Sequence, residues 1–436
     1  MAKLVSKKLI YAKTGLAALF FGVLIGFAGC NWELLEEGVS LPENGDERIL
    51  LLEELETMSD EAAETEPDVS EGDVSGGDTE ASEWDPDAES GFLYKGGGYF
   101  YRLLNESERL WYRDMALALG TMKDKIKLSS EGIAAGLDEK MVDQIFQYVL
   151  NDHPELFYVE GYSYTKYTRG ERTVAIEFAG TYSLDMETAQ ARGQEIEKVV
   201  EEFLETVPVS QDDYEIIKYV YEKLIRDTNY DVNSEENQNI YSVFVGHSSV
   251  CQGYAKAFQL LMNRLGVECA LVQGKVLETG EGHAWNLVRS NGDYYYVDAT
   301  WGDISYQNTD QNMPHISYDY LCITTAQMER THALNSDMDM PECKADADNY
   351  FVRENALFVE YDKEKLADLI NRRLEQEDYL IALRCENEEC YELMQEALLD
   401  RREIFDYLAG TGIRSFAYTA DDEQFALTFF MVTSNR

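Results

Sequence analysis

The stretch SSVCQGYAKAFQLLMNRLG, residues 248–266, places a cysteine where the sequence pattern predicts the start of a helix. Apolar residues then recur at the spacing of one helix face, at Phe258, Leu261, Met262 and Leu265. A helix ending follows, because Gly266 is typical of a helix C-terminus. A thiol in the first turn of a helix lies near unpaired N–H groups and the positive end of the helix dipole, which favour the thiolate. Cys251 is therefore a candidate nucleophile, although free cysteines are also common as buried core residues.

Downstream of this helix, the stretch HAWNLVRSNGDYYYVDATW, residues 283–301, predicts a β-hairpin. Asn291-Gly292 between two apolar runs is a strong short-range hairpin signal, and a two-residue turn there fixes the pairing of the two strands. Counting back from the turn makes His283 and Asp298 diagonal neighbours on one face, with their Cα atoms about 7 Å apart. The hairpin is therefore expected to bring a histidine and a carboxylate within hydrogen-bonding reach.

Together, Cys251, His283 and Asp298 provide the parts of a nucleophilic site. The Cys251 thiolate would attack a carbonyl carbon, His283 would hold or transfer the proton, and Asp298 would orient the imidazole and stabilise its charge. The backbone N–H of Cys251 at the helix start is a candidate oxyanion donor. The alternative reading makes His283 a packed strand residue and Asp298 a turn-end carboxylate.

The runs VCQGYAKAFQLLMNRLGV, GHAWNLV and YYYVDATWGD resemble the transglutaminase-like superfamily, in particular the papain-like cores of bacterial exported proteins. In that family Cys, His and Asp follow one another in this chain order, so the resemblance implies that Cys251, His283 and Asp298 are the catalytic residues. It also implies an α+β fold in which a cysteine helix packs on an antiparallel sheet. The implied activity is that of a thiol enzyme acting on amide bonds, by acyl transfer or by hydrolysis.

The resemblance also concerns the residues around the triad. No tryptophan precedes Cys251 within the core to match the oxyanion-stabilising tryptophan of the animal cross-linking enzymes, and Tyr241 is a candidate substitute. Gln252 is taken as a supporting residue beside the cysteine. Trp285 and Trp301 are expected to line the cleft, where they could grip a substrate side chain.

The first thirty residues have the pattern of an export signal. A lysine-rich leader precedes the apolar run LAALFFGVLIGFAG, which is short for a membrane span. The ending FAGC resembles a bacterial lipoprotein cleavage site, which would make 1–29 a signal peptide and Cys30 the lipidated first residue. The alternative is an uncleaved N-terminal anchor. Both place the rest of the chain outside the cytoplasm, attached to the membrane.

Charge is concentrated after this signal. Residues 31–90 contain 22 Asp and Glu against the single basic residue Arg48, so 30–90 is predicted to be a disordered, extended acidic tether. The formal net charge of −46 argues against a nucleic-acid partner, because phosphate contacts require Lys and Arg.

The remaining sequence divides into three predicted regions: an N-terminal α+β region at 91–207, the core at 208–335, and a small C-terminal α/β accessory domain at 345–436. The last of these reads strand, helix, strand, helix, strand, beginning with a strand in YFVRENALFVE. Cysteine counting argues against a complete disulfide framework, since Cys30 and Cys251 leave five cysteines. Cys385 and Cys390 could form a disulfide or remain as buried thiols.

The sequence therefore predicts a lipid-anchored, cell-surface cysteine enzyme with protein or peptide substrates, and cell-wall peptides are among the candidates. Neither a cofactor nor a metal site is predicted, because the chain has no C-x-x-C pair and the acidic tether lacks the spacing of a calcium loop. The alternative from another class is a catalytically silent surface module that uses the same cleft to bind a peptide or protein.

Overall fold

The computed structural model describes residues 50–51, 98–169, 172–304, 316–336 and 338–432. The predicted signal peptide and lipidated Cys30 lie outside these residues, as does the acidic tether except for Leu50–Leu51. No helix within the described ranges is long and apolar enough to cross a membrane. Two compact units divide the chain between Glu197 and Lys198. The domain boundaries read from the sequence remain predictions.

The elements of the unit that ends at Glu197 are β1 (Leu50–Leu51), α1 (Tyr99–Leu103), α2 (Glu106–Gly120), β2 (Ile126–Lys127), α3 (Ser130–Ala134), α4 (Glu139–Asp152), β3 (Val159–Arg169), β4 (Arg172–Tyr182) and α5 (Met186–Leu204), whose last turns belong to the second unit. The four strands form a sheet in the order β1-β3-β4-β2. Its centre is the long antiparallel hairpin of β3 and β4, and β1 pairs with β3 in parallel. Asp152, at the end of α4, accepts hydrogen bonds from the Phe100 and Tyr101 N–H groups and so supplies a cap that α1 lacks in its own sequence.

The second unit begins with the elements α6 (Asp213–Asp227), β5 (Asn229–Tyr230), α7 (Ile240–Phe244), β6 (Ser248–Ser249), α8 (Cys251–Arg264), β7 (Cys269–Val276), β8 (Gly282–Ser290), β9 (Asp293–Val297), α9 (Ala299–Gly302), α10 (Thr325–Met328) and β10 (His332–Leu334). Its central sheet is antiparallel and has the order β10-β7-β8-β9. Helix α8, which begins at the cysteine, packs on β7 and β8, and α6 packs on α8. The predicted α+β class is confirmed.

The hairpin read from the sequence is present with its predicted register. Ser290 pairs with Asp293, and both turn residues have positive φ, 49° at Asn291 and 103° at Gly292, as a two-residue turn of this type requires. The ladder ends with the pair Asn286 and Val297, after which the chain turns into α9. The last paired residues thus stop just short of the predicted site.

Helix α8 is held against the sheet by a buried amide. The Asn286 side chain has no exposed surface and its Nδ2 donates a hydrogen bond of 2.9 Å to the Ala255 carbonyl of the helix. Two residues earlier in the helix, Gly253 approaches β6 so closely that an added Cβ would lie 2.0 Å from Ser249 Oγ. The first contact fixes the start of α8 relative to β8, and the second fixes it relative to β6.

The C-terminal part of this unit differs from its prediction. The segment YFVRENALFVE, predicted as a strand, begins with helix α11 (Tyr350–Arg353), and only Leu357–Phe358 within it forms a strand. The last predicted helix is divided by a π-helical turn at Glu396–Asp400. Strand β13 (Ser415–Asp421) was not predicted, because it lies at the sheet edge and its sequence is half polar. The elements are α11 (Tyr350–Arg353), β11 (Leu357–Phe358), α12 (Lys363–Glu375), β12 (Leu380–Cys385), α13 (Glu388–Gln395), α14 (Ile404–Tyr407), β13 (Ser415–Asp421) and β14 (Ala426–Val432).

This C-terminal sheet, of order β11-β12-β14-β13, is antiparallel except between β11 and β12. Buried polar groups connect it to the rest of the unit. Arg384 Nη2 donates to the Asp319 carbonyl at 2.6 Å, and Gln424 Nε2 donates to the Gln327 carbonyl at 3.0 Å. The segment that includes Asp319 and Gln327 leads into β10, so the C-terminal sheet supports the chain that completes the central sheet.

Candidate active site

Cys251 is the first residue of α8, after Val250 in an extended conformation at the N-cap. Because the first N–H groups of a helix have no partner within it, the Cys251 N–H points out of the helix end, as an oxyanion donor must. Only 7% of the residue is exposed, and its side chain belongs to a buried cluster with Ala255, Leu271 and Ala284. Cys251 therefore lies where the positive end of the helix dipole acts on a thiol that is almost removed from water.

The hairpin brings His283 and Asp298 into direct contact. His283 Nε2 lies 2.6 Å from Asp298 Oδ2, and both side chains are buried. The other carboxylate oxygen, Oδ1, accepts hydrogen bonds from Thr300 N at 2.9 Å and Trp301 N at 3.0 Å, because Asp298 is the N-cap of α9. The turn from β9 into α9 therefore holds the carboxylate through Oδ1, which leaves Oδ2 facing the imidazole.

The electrostatics of this pair follow from burial and opposite charge. Burial alone would lower the pKa of His283, but the Asp298 charge, its hydrogen bond and a hydrogen bond to Cys251 raise it to about 10. Burial alone would raise the pKa of Asp298, but the charge and hydrogen bond of His283 hold it below its ordinary value. Since Nε2 faces Asp298, Nδ1 of the ring is the nitrogen left for the Cys251 thiol. At neutral pH the pair is an imidazolium and a carboxylate beside the cysteine.

A second histidine, which the sequence analysis did not identify, lies at the same carboxylate. His332 in β10 is 1% exposed, and its Nε2 is 3.7 Å from Asp298 Oδ2. Burial and the neighbouring His283 charge outweigh the attraction of Asp298 and lower the pKa of His332 to about 4, so this imidazole is neutral at pH 7. Its place depends on the pairing of β10 with β7, a contact for which the sequence THAL offers no signal.

The two tryptophans expected to line the cleft pack around these histidines. Trp285 is 1% exposed, and its ring stacks beside His283 with centroids 6.0 Å apart. Trp301 retains partial exposure and lies 4.4 Å from the His332 ring centroid. Trp285 therefore forms the back of the site, and of the two only Trp301 is placed to meet a substrate.

The other supporting residues occupy the elements beside α8. Gln252 is buried in the first turn of the helix, next to the cysteine. Tyr241 lies in α7, which packs on α8 and is joined to the strand before the cysteine by a 2.7 Å hydrogen bond between Ser242 and Ser249. The role of Tyr241 as an oxyanion donor remains a prediction.

The six cysteines in the described ranges are all free thiols, and all are buried. Cys385 and Cys390 are therefore neighbouring thiols rather than a disulfide. Burial also raises the pKa of Cys269, on β7, well above its ordinary value, which makes that thiol a poor nucleophile. Of these cysteines, Cys251 is the one that lies at a helix start beside the charged histidine.

The segment that contains Cys251, His283 and Asp298 matches a known protein family. Residues 202–299 match the profile of the Transglutaminase-like superfamily. The central region carries a transglutaminase-like core. The match covers α6, α8 and the hairpin and ends one residue after Asp298, so the resemblance predicted from the sequence is confirmed for this segment. His332 lies beyond it. No curated protein matches the chain.

The solved structures that are similar to part of this chain are distant in sequence. One is a crystal structure of a TGase, with 16% sequence identity, a TM-score of 0.24, and coverage of 32% of this chain and 43% of that one. Another is the periplasmic domain of TgpA from Pseudomonas aeruginosa, with 13% identity, a TM-score of 0.20, and coverage of 30% and 56%. This chain thus spans about half the length of each of these structures.

Proposed function

We propose that this protein is a cysteine enzyme that cleaves or transfers amide bonds of proteins or peptides through an acyl-enzyme on Cys251. The observation that carries the proposal is the 2.6 Å contact of His283 Nε2 with Asp298 Oδ2, next to a cysteine at a helix start. A packed strand histidine would need one polar partner. Here the ring has two, the carboxylate on Nε2 and the Cys251 thiol, which is the arrangement of an activated nucleophile.

In the proposed reaction the Cys251 sulfur forms a bond to the substrate carbonyl carbon, and the carbonyl oxygen becomes an oxyanion facing the α8 N-terminus. The C–N bond then breaks as His283 gives its proton to the leaving nitrogen, and the acyl group stays on sulfur. Asp298 keeps the ring oriented throughout. Water or an amine then attacks the acyl carbon and gives a proton to His283, and the C–S bond breaks to release the Cys251 thiolate. Attack by water completes hydrolysis, and attack by an amine completes acyl transfer. The substrate class that fits is a peptide or protein amide, including the peptides of a cell wall.

The activation of Cys251 can be measured with iodoacetamide on the native full chain near pH 6. We expect Cys251 to be alkylated first, and His283→Gln to slow the reaction at least about tenfold, because the imidazolium no longer stabilises the thiolate. Cys269→Ala is the matched control, since that thiol is buried without a basic partner, and its removal should leave the rate unchanged. Equal alkylation rates for Cys251 and Cys269 would leave the silent binding module as the better account. For an active protein, incorporation of an added amine into a glutamine peptide indicates transfer, whereas conversion of the glutamine to glutamate indicates hydrolysis.

We also propose that the chain is anchored outside the cytoplasm by a lipid on Cys30. The support is the sequence FAGC after a basic, apolar leader. In bacterial cells fed radiolabelled palmitate, we expect the full chain to carry label and to fractionate with membranes, and Cys30→Ser to lose the label. Cys251→Ser, which alters a cysteine in the core, should keep it. Membrane retention without label would instead indicate the uncleaved anchor.

A further inference from the structure

Three donor atoms converge behind the catalytic cysteine. One ring nitrogen of His283, one carboxylate oxygen of Asp298 and one ring nitrogen of His332 lie within 4.8 Å of one another, and all three residues are buried. His283 Nε2 and His332 Nε2 lie 2.6 and 3.7 Å from Asp298 Oδ2. Among the described residues, His332 Nε2 is one of the few buried polar atoms without a hydrogen-bond partner. At 3.7 Å from Asp298 Oδ2 it is too far for a hydrogen bond to that oxygen. This buried nitrogen therefore lacks a partner, and an ion bound between it and the Asp298 carboxylate would supply one.

The surroundings prepare this nitrogen to be a ligand. His332 Nδ1 is 2.8 Å from Thr331 Oγ1. When Nδ1 donates to that hydroxyl, the Nε2 lone pair faces the carboxylate, which is how metal-binding histidines are usually oriented by a second hydrogen bond. The Tyr320 hydroxyl, 3.1 Å from Thr331 Oγ1, holds the threonine in turn. The rings of Trp301 and Trp285, with centroids 4.4 and 5.1 Å from that of His332, leave it little freedom to turn away.

We propose that His283, Asp298 and His332 bind a divalent ion of the zinc class, which holds the triad in an inactive state. Two imidazoles and one carboxylate suit zinc, whereas calcium and magnesium prefer oxygen ligands. Neighbouring ligand atoms around a tetrahedral zinc ion lie about 3.4 Å apart, given bond lengths of about 2.0–2.2 Å. The 3.7 Å between Asp298 and His332 is close to this value. The 2.6 Å between His283 and Asp298 must open by about 0.8 Å on the same geometry.

Binding exchanges a proton for the ion. The proton shared by His283 Nε2 and Asp298 Oδ2 leaves to solvent, both atoms become ligands, and a water molecule completes the four positions. Asp298 Oδ1 keeps its two backbone hydrogen bonds, so the carboxylate is already held for this role. The bound ring then keeps only its Nδ1 proton and is no longer an imidazolium, so it can neither form an ion pair with the Cys251 thiolate nor act as an effective acid toward the leaving nitrogen. This inhibition rests on the proposed function, but binding of the ion does not.

The decisive measurement uses Co²⁺ as a spectroscopic substitute for Zn²⁺ in the Cys251→Ser full chain. Because the cysteine is not a ligand, we expect this variant to bind one Co²⁺ per chain and to show visible d–d absorption. Zn²⁺ should displace the Co²⁺, and Ca²⁺ should have no effect. His332→Gln should raise the Kd about 100-fold or more, and Thr331→Val, which removes only the supporting hydroxyl, about 10-fold. Binding that is lost in Cys251→Ser but kept in His332→Gln would place the ion on Cys251 and overturn the proposal, as would absence of binding.

X-ray absorption of the zinc-loaded wild-type chain gives an answer that does not depend on variants folding. Two imidazoles and no sulfur around the ion are expected, and a sulfur ligand would refute the site. Activity separates the two proposals. If the metal-free protein is inactive but the chain binds zinc through His332, the enzyme proposal is refuted and the ion site stands. If the protein is active but binds no zinc, the ion site is refuted and the enzyme proposal stands.

Discussion

Replacing His283 by Gln is expected to lower kcat/KM for amide-bond turnover about 10⁴-fold. Gln keeps a donor for Asp298 Oδ2 and most of the buried volume, but it can neither hold a proton for the leaving nitrogen nor form an ion pair with the Cys251 thiolate. The 2.6 Å contact with Asp298 holds the histidine in one orientation. Ammonia release from a glutamine peptide, with and without an added amine, measures the loss.

His247→Asn is the matched control for this experiment. His247 lies only four residues before Cys251 in sequence, but it is exposed, and its Nδ1 is 3.0 Å from the Asp227 carbonyl. Its φ of 51° is a value that Asn tolerates well. We expect this variant to keep turnover within about twofold of wild type, as for surface changes away from a site. Comparable losses in both variants would mean that His283 acts through folding rather than through proton transfer.

Replacing Gly274 by Ala is expected to destabilise the second unit by about 3 kcal/mol. Gly274 lies in β7 between β8 and β10, where it pairs with His283 on one side and Leu334 on the other. An added Cβ would lie 2.1 Å from the Ala333 carbonyl oxygen and 2.5 Å from the Trp285 ring. Because the first of these is backbone, a rotamer change cannot relieve the contact, and β10 must move away from β7.

The second unit should therefore melt roughly 10 °C lower in Gly274→Ala, as followed by differential scanning calorimetry of the full chain. Glu278→Ala, in the exposed turn after the same strand, is the control and should change the melting temperature by no more than a degree or two. The displaced β10 also carries His332, so Co²⁺ binding should weaken in the folded fraction of Gly274→Ala. An unchanged melting temperature would show that β10 is not paired as described.

Local sequence patterns were sufficient for the central hairpin and for the cysteine helix. Asn291-Gly292 admits few backbone conformations, and period-two alternation then decides which side chains share a face, so the proximity of His283 and Asp298 followed by counting. The start of α8 at Cys251 followed from its apolar spacing in the same way. The function of these residues remains a proposal, but their arrangement was readable because every step spans fewer than twenty residues.

The C-terminal sheet shows where such reading fails. Strand β13 is a half-polar sheet edge, and YFVR has the composition of a strand but forms a helix capped by Asn349, whose side chain accepts a hydrogen bond from Phe351 N. Composition alone does not separate these cases, because the decision depends on which neighbours cover each face.

By itself, the sequence determined the α+β class, the transglutaminase-like core and the order of its cysteine, histidine and aspartate, because these depend on short-range periodicity and turn chemistry. Only the tertiary structure decided that His332 lies at Asp298. That contact requires β10 to return to the edge of the sheet and pair with β7, more than fifty residues away in sequence. Such pairing is set by the burial of whole faces rather than by any local signal, which is why the second histidine could not be found by reading the chain.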